Sequence, residues 1–221
     1  AGFRPDFIAP SVMNMGNAVT YLNGIAAVSG ALTYLTDVAY HRYSGVSDAN
    51  LNAIRTRAAQ LGLRTSMLEH IGSGVEDLYK DLTLANVSAW QQYTLAYPTS
   101  DNGAQYYYIS GGRPVAGSRT HALRQYFRYV RAGAYRVAAT SLNSSVRPVA
   151  FVNPGASMAV VLHIDAPGTY SVGGLRPGSY QVEMTNGAGT LVSMGSVTSV
   201  AGGSVTISPT QTGVLTLYRG P

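Results

Sequence analysis

The sequence predicts a mixed chain, an α/β segment forming half of a (β/α)8 barrel and then an all-β antiparallel sandwich. Three observations predict it. Short apolar strands alternate with helical stretches up to Gly133, and after Gly133 the hydrophobic period becomes two. Glu69 closes the third of those strands, just before Gly72-Ser73-Gly74. Repeated β-then-α units imply a parallel sheet with crossover helices, and short strands between turns imply a sandwich. The domains are therefore expected at 1–133 and 134–221.

Local patterns justify each element. Phe7–Asn14 reads as a strand and Asn17–Leu35 as a helix. Asp37–Tyr43 is the second strand; Asp48 is expected to cap the helix Ala49–Leu61, which Gly62 stops. Arg64–Glu69 is the third strand. Leu78, Leu82, Ala85, Ala89 and Tyr93, three or four residues apart, predict one long helix over Val75–Tyr97. Gln105–Ser110 is then the fourth strand and Arg119–Arg131 the fourth helix. The later strands are expected at Arg136–Leu142, Val149–Asn153, Met158–Ile164, Thr169–Val172, Tyr180–Thr185, Thr190–Ser193, Ser204–Ile207 and Val214–Tyr218. Turns such as Asn153-Pro154-Gly155 and Asn186-Gly187 divide them.

Composition narrows the function. With 46% hydrophobic and 11% charged residues the 221-residue chain is expected to be globular and soluble. Its net charge of +5 comes from few acids, and its 15 basic residues form no run, so no nucleic-acid partner is expected. Residues 15–35 carry too many Asn and Gly for a membrane span. The start lacks a signal-peptide pattern, and the absence of Met there suggests a processed end or an artificial boundary. With no cysteine there are no disulfides or thiolate metal sites, and the compartment stays open. Gly111-Gly112 and Gly173-Gly174 lack a phosphate-loop pattern. Neither metal nor cofactor is expected: His41, His70 and Glu69 have no ligand spacing.

A carboxylate where a barrel strand opens into a glycine-rich loop stands where (β/α) barrels keep catalytic residues. The strand before it ends in Ala39-Tyr40-His41-Arg42-Tyr43. By alternation His41 and Tyr43 share one face and Tyr40 and Arg42 the other, so His41 and Tyr43 are expected to meet Glu69 in the mouth as donors. Glu76 and Asp77 are weak acid/base candidates, since acids in a first helical turn ordinarily serve the helix dipole. Trp90, placed on the long helix, is read as core, and His163 and Glu183 receive no chemistry.

The order of these features resembles glycoside hydrolase family 30: a strand ending in His41-x-Tyr43, a strand ending in Glu69, a Tyr-rich strand, then Leu123-x-x-Tyr126-Phe127-x-x-Val130-Arg131-Ala132-Gly133-Ala134-x-Arg136-Val137 and a sandwich. That family includes glucosylceramidases, β-glucosidases, β-1,6-glucanases and xylanases. The resemblance begins at about the fifth barrel strand. It implies a retaining hydrolase of β-glucosides, with Glu69 as nucleophile on strand seven, His41 and Tyr43 lining the site from strand six, and Tyr106 and Tyr108 binding substrate from strand eight. The family's acid/base, a Glu after an Asn on strand four, has no counterpart here, as no Asn-Glu pair occurs. A homodimer would supply one. Its twofold pairs the edge strands Phe7–Asn14 and Gln105–Ser110 of two copies and brings the partner's Glu69 opposite. The alternative is a catalytically incomplete family member, or a fragment, that binds carbohydrate without hydrolysing it.

Overall fold

The computed structural model describes residue 2 and residues 5–219. They form two compact units, divided between Val115 and Ala116.

The first unit is built on a four-stranded sheet in the order β1-β2-β3-β4, with β1 Phe7–Asn14, β2 Leu35–Ser44, β3 Arg64–Glu69 and β4 Ala89–Trp90. All neighbours are parallel. Between strands run α1 (Ala18–Ala26), α2 (Asp48–Gln60) and α3 (Val75–Lys80), the last continuing into a π-helical turn, Asp81–Ala85. Val38, Tyr40 and Met67 of the sheet pack with Leu22 of α1, Leu51 and Ile54 of α2, and Ala85 of the π turn.

Two helices differ from expectation. The predicted helix Asn17–Leu35 ends at Ala26, and Gly30 at φ +80° begins a separate 3-10 turn over Ala31–Thr33. The predicted helix Val75–Tyr97 ends at the π turn, because Asn86 takes the left-handed conformation at φ +57°, which an asparagine side chain tolerates. Beyond Asn86 the chain forms strands, β4 and then β5 (Thr94–Tyr97). The fourth strand of the parallel sheet is therefore Ala89–Trp90, and Gln105–Ser110 is not part of that sheet. It is β6, in a separate sheet of order β5-β6-β7 with β7 at Arg113–Ala116. Gly111 and Gly112 make the two-residue turn between β6 and β7 at φ +56° and +73°, a conformation that favours glycine. The α2 cap also moves by one residue. Ser47 Oγ accepts from the Asn50 N–H at 3.1 Å, and Asp48 lies in the first turn.

The second unit begins with α4 (Ser118–Phe127). Its main layer is a six-stranded antiparallel sheet in the order β13-β12-β15-β10-β9-β8. The members are β8 Tyr135–Val137, β9 Val146–Val152, β10 Met158–Ile164, β12 Gly178–Asn186, β13 Leu191–Ser199 and β15 Gly213–Tyr218. A two-stranded sheet pairs β11 (Tyr170–Gly173) with β14 (Ser204–Ile207). Val205 and Ile207 of the small sheet share a core with Val160, Leu162, Val182 and Leu215 of the large one.

Helix α4 is tied to the large sheet by buried polar contacts. Gln125 Nε2 donates to Thr185 Oγ1 at 2.9 Å, Thr216 Oγ1 to the Gln125 carbonyl at 2.9 Å, and the Tyr126 hydroxyl meets His163 Nε2 at 2.8 Å. The helix that the sequence groups with residues 1–133 thus lies in the same compact unit as the strands after it. No helix among the described residues is long and apolar enough to cross a membrane.

Candidate active site

The ends of β1, β2 and β3 bring Ser11, His41, Tyr43 and Glu69 together. Tyr43 donates its hydroxyl hydrogen to Glu69 Oε1 at 2.9 Å, and His41 Nδ1 lies 4.0 Å from the same oxygen. The other imidazole nitrogen, Nε2, is 3.0 Å from Ser11 Oγ. The His70 ring meets Tyr43 edge-on with centroids 5.4 Å apart.

Irregular pairing aims two of these groups. On β2, Tyr40 and Arg42 are buried on the helix side, so His41 and Tyr43 point the other way. Strict alternation on β3 would put Glu69 on the same face as Met67, which is buried among the helices. The register instead steps from Tyr40 opposite Met67 to His41 opposite Glu69, leaving Leu68 as an extra residue. This bulge turns Glu69 toward His41 and Tyr43. β1 slips likewise between Pro10 and Val12, and the intervening Ser11 has φ +56°. Ser11 was not among the expected site residues; Pro10 within a strand was the available signal of a bulge.

The electrostatics keep the Tyr43 phenol neutral beside Glu69. Burial, the hydrogen bond to Glu69 and the charge of Glu69 together raise the Tyr43 pKa, with a smaller contribution from Tyr93. Tyr43 therefore remains a donor through the neutral range. The Glu69 side chain is 32% exposed, so it stays open to a ligand.

The opposite face of β2 carries a second carboxylate cluster. Asp81, the first residue of the π turn, has no exposed side-chain surface. Its Oδ1 accepts from Tyr40 OH at 2.7 Å and Arg42 Nη1 at 2.6 Å, and its Oδ2 from Trp90 Nε1 at 2.9 Å. Arg42 Nη2 also donates to Asp77 Oδ1 at 2.7 Å, while Asp77 Oδ2 accepts from the Gly74 N–H at 3.0 Å. Burial outweighs Arg42, Tyr40 and Trp90 and lifts the Asp81 pKa to about 6.

The remaining expected residues occupy less suitable positions. Asp77 has both oxygens engaged, one by Arg42 and one at the helix cap, while Glu76 is exposed in the first turn of α3. Tyr106 and Tyr108 sit on β6, not on a strand of the parallel sheet. The Tyr106 hydroxyl accepts from the Gln92 N–H at 3.2 Å, and Gln92 Oε1 in turn accepts from Ser73 Oγ at 2.9 Å in the loop after Glu69. Tyr108 is paired opposite Tyr97 of β5. Trp90 is on a strand, with its indole held in the helix layer by Asp81. Among the described residues no three His, Asp or Glu side chains are grouped to hold a metal ion.

No family model matches the chain. Solved structures do. An endoxylanase of glycoside hydrolase family 30 from Clostridium papyrosolvens is 16% identical with a TM-score of 0.79, over 98% of this chain and 56% of that one. The catalytic domain of xylanase C of the same family, from Talaromyces cellulolyticus, is 18% identical with a TM-score of 0.71, over 96% of this chain and 52% of that one. An endo-β1,6-glucanase is 14% identical with a TM-score of 0.63, over 91% of this chain and 45% of that one. The chain thus spans about half the length of the structures it matches. Over that length, the protein has the fold of glycoside hydrolase family 30.

Proposed function

We propose that this chain carries the nucleophile half of a retaining β-glycoside hydrolase, on a half (β/α) barrel built on the four parallel strands β1 to β4 and followed by a β-sandwich, with Glu69 as nucleophile. The observation that carries this reading is the 2.9 Å bond from Tyr43 to Glu69, with His41 at 4.0 Å, on adjacent parallel strand ends. The Glu69 carboxylate attacks the anomeric carbon, and the glycosidic bond to the leaving oxygen breaks. Water then releases the sugar from the glycosyl ester. His41 and Tyr43 orient Glu69 and meet sugar hydroxyls. Tyr106 and Tyr108 flank the substrate from β6. The proposed substrates are β-glucosides, and the xylanases among the structural neighbours add β-xylosides to the panel worth testing.

A retaining enzyme needs a second carboxyl group about 5–5.5 Å away to protonate the leaving group. A second copy would supply it. β1 and β4 are the free edges of the parallel sheet, and β1 exposes Phe7, Ile8 and Met13. A twofold that sets each β1 against the other copy's β4 brings the partner's Glu69 opposite, where two close carboxyl groups share one proton. The edge offered by β4 is only Ala89–Trp90, so the pairing would be short.

Asp77, engaged by Arg42 and Gly74, favours a second reading, a module that binds carbohydrate without hydrolysing it. Replacing Glu69 by Gln separates the two. The hydrolase reading expects turnover of an aryl β-glucoside or β-xyloside to vanish with little change in melting temperature. Full activity in that variant contradicts it, and saccharide binding with no turnover in the parent chain favours the binding module. Gel filtration giving only a monomer would remove the dimer.

A further inference from the structure

Tyr40 and Arg42 alternate along β2 with the site residues His41 and Tyr43, so a shift of one pair is a shift of the other. Both are held from behind by one buried carboxylate. Asp81 takes hydrogen bonds from Tyr40, Arg42 and Trp90, and so ties β2 to β4 and to the π turn. Arg42 extends the tie through Asp77 to the Gly74 N–H, at the end of the loop after Glu69. A single anion thus reaches β2, β4 and the segment leaving Glu69.

The cluster is a poor way to gain stability. Arg42 Nε is buried and has no hydrogen-bond partner among the described residues. Apolar residues of similar volume often serve as well as a buried ion pair. What the cluster supplies is fixed geometry, and π-helical turns of this kind recur at functional sites.

We propose that Asp81 is a positioning residue: through Arg42 and Tyr40, and through Asp77 to Gly74, it holds Tyr43 and Glu69 at hydrogen-bonding distance on the opposite face of the sheet. This deepens the reading of Glu69 as nucleophile and rests on it for any effect on turnover. The geometric effect can be read without turnover.

Tyr43 is the reporter. The full chain is labelled with carbon-13 at the tyrosine Cζ, and the Tyr43 signal is assigned with Tyr43→Phe. In the parent protein Tyr43 titrates above an ordinary tyrosine, held there in part by Glu69. In Asp81→Asn the upward displacement should shrink, with the other tyrosines outside the cluster unmoved. The doubly substituted chain Arg42→Met with Asp81→Leu leaves no unpaired charge inside, and should show the same loss while remaining folded. A folded Asp81→Asn or double variant in which Tyr43 titrates as in the parent overturns the proposal. Failure of both variants to fold overturns it too, because the cluster would then be a stability element. A chain without any glycosidase activity can still give the expected shift, so failure of the hydrolase reading and failure of this one are distinguishable.

Discussion

On one face of β2, Tyr43 gives a hydrogen bond to Glu69, whose side chain keeps 32% of its exposure; on the other, Tyr40 gives one to Asp81, whose side chain has none. The two carboxylates are reached from one strand by the same phenolic donor. They differ in what else surrounds them. Glu69 retains access to solvent and to ligand. Asp81 accepts three hydrogen bonds and an arginine charge, yet burial still raises its pKa to about 6. A third case lies in the second unit. Glu183 accepts from Arg124 at 3.0 Å and from Tyr129, with 18% of its side chain exposed. Burial pushes Glu183 up as well, but Tyr129 and Arg124 bring it below the usual glutamate range. The donors lower both carboxylates, and how much water remains decides whether burial outweighs them. Open carboxylates can do chemistry; the closed one fixes geometry.

The largest effect expected is on turnover. Glu69→Gln should lower activity on an aryl β-glycoside by on the order of a thousandfold or more, as removal of a nucleophile does. Next comes Arg42→Ala. It leaves Asp81 buried without its counter-ion and should cost about 3–5 kcal/mol in chemical denaturation. Arg42→Met with Asp81→Leu should cost far less, which separates loss of a partner from loss of packing.

Acid titration of stability sharpens the contrast between the closed and the half-open group. Asp81 has a raised native pKa, so the native state binds more protons than the unfolded chain between the ordinary value of 3.8 and about 6. Its contribution therefore weakens as pH rises through that window, by ~3 kcal/mol at most. Glu183 has the opposite sign: its contribution is present above the ordinary value of 4.5 and is lost as pH falls through its lowered native pKa. Denaturation across this range with Asp81→Asn and Glu183→Gln should show the two slopes separately. A common slope would break the comparison. The smallest effect expected is at the α2 cap, where Ser47→Ala should cost about 1 kcal/mol and leave the site unchanged.

Much of this was legible in the chain. Alternation along Tyr40-His41-Arg42-Tyr43 assigned the two faces of β2, and burial alternates there, with Tyr40 and Arg42 buried and His41 and Tyr43 partly exposed, although the pairing with β1 and β3 slips. The turn residues located most of the later strands to within three positions, but β8 ends at Val137 where Leu142 was expected and β13 runs on to Ser199 where Ser193 was expected. Three features were not legible. The apolar spacing through Leu78, Leu82, Ala85, Ala89 and Tyr93 fits a helix, and only the left-handed Asn86 breaks it, so β4 was hidden inside a predicted helix. The bulge at Leu68 depends on pairing with β2, which local sequence does not report. Ser11 reaches His41 through a second slip of the same kind. Helical periodicity predicted α4 itself, but its membership of the second unit comes from Gln125 and Tyr126 meeting Thr185 and His163.

The most direct test of Glu69 needs no proton donor. A 2,4-dinitrophenyl 2-deoxy-2-fluoro-β-glycoside carries a leaving group that departs unassisted, and the fluorine slows hydrolysis of the glycosyl ester. Incubation of the chain with the glucoside and xyloside forms, and then peptide mass analysis, should give one added fluorosugar on the peptide containing Glu69, with dinitrophenolate released in equal amount. A label on another residue, or none at any concentration of either reagent, contradicts the assignment of Glu69 as nucleophile.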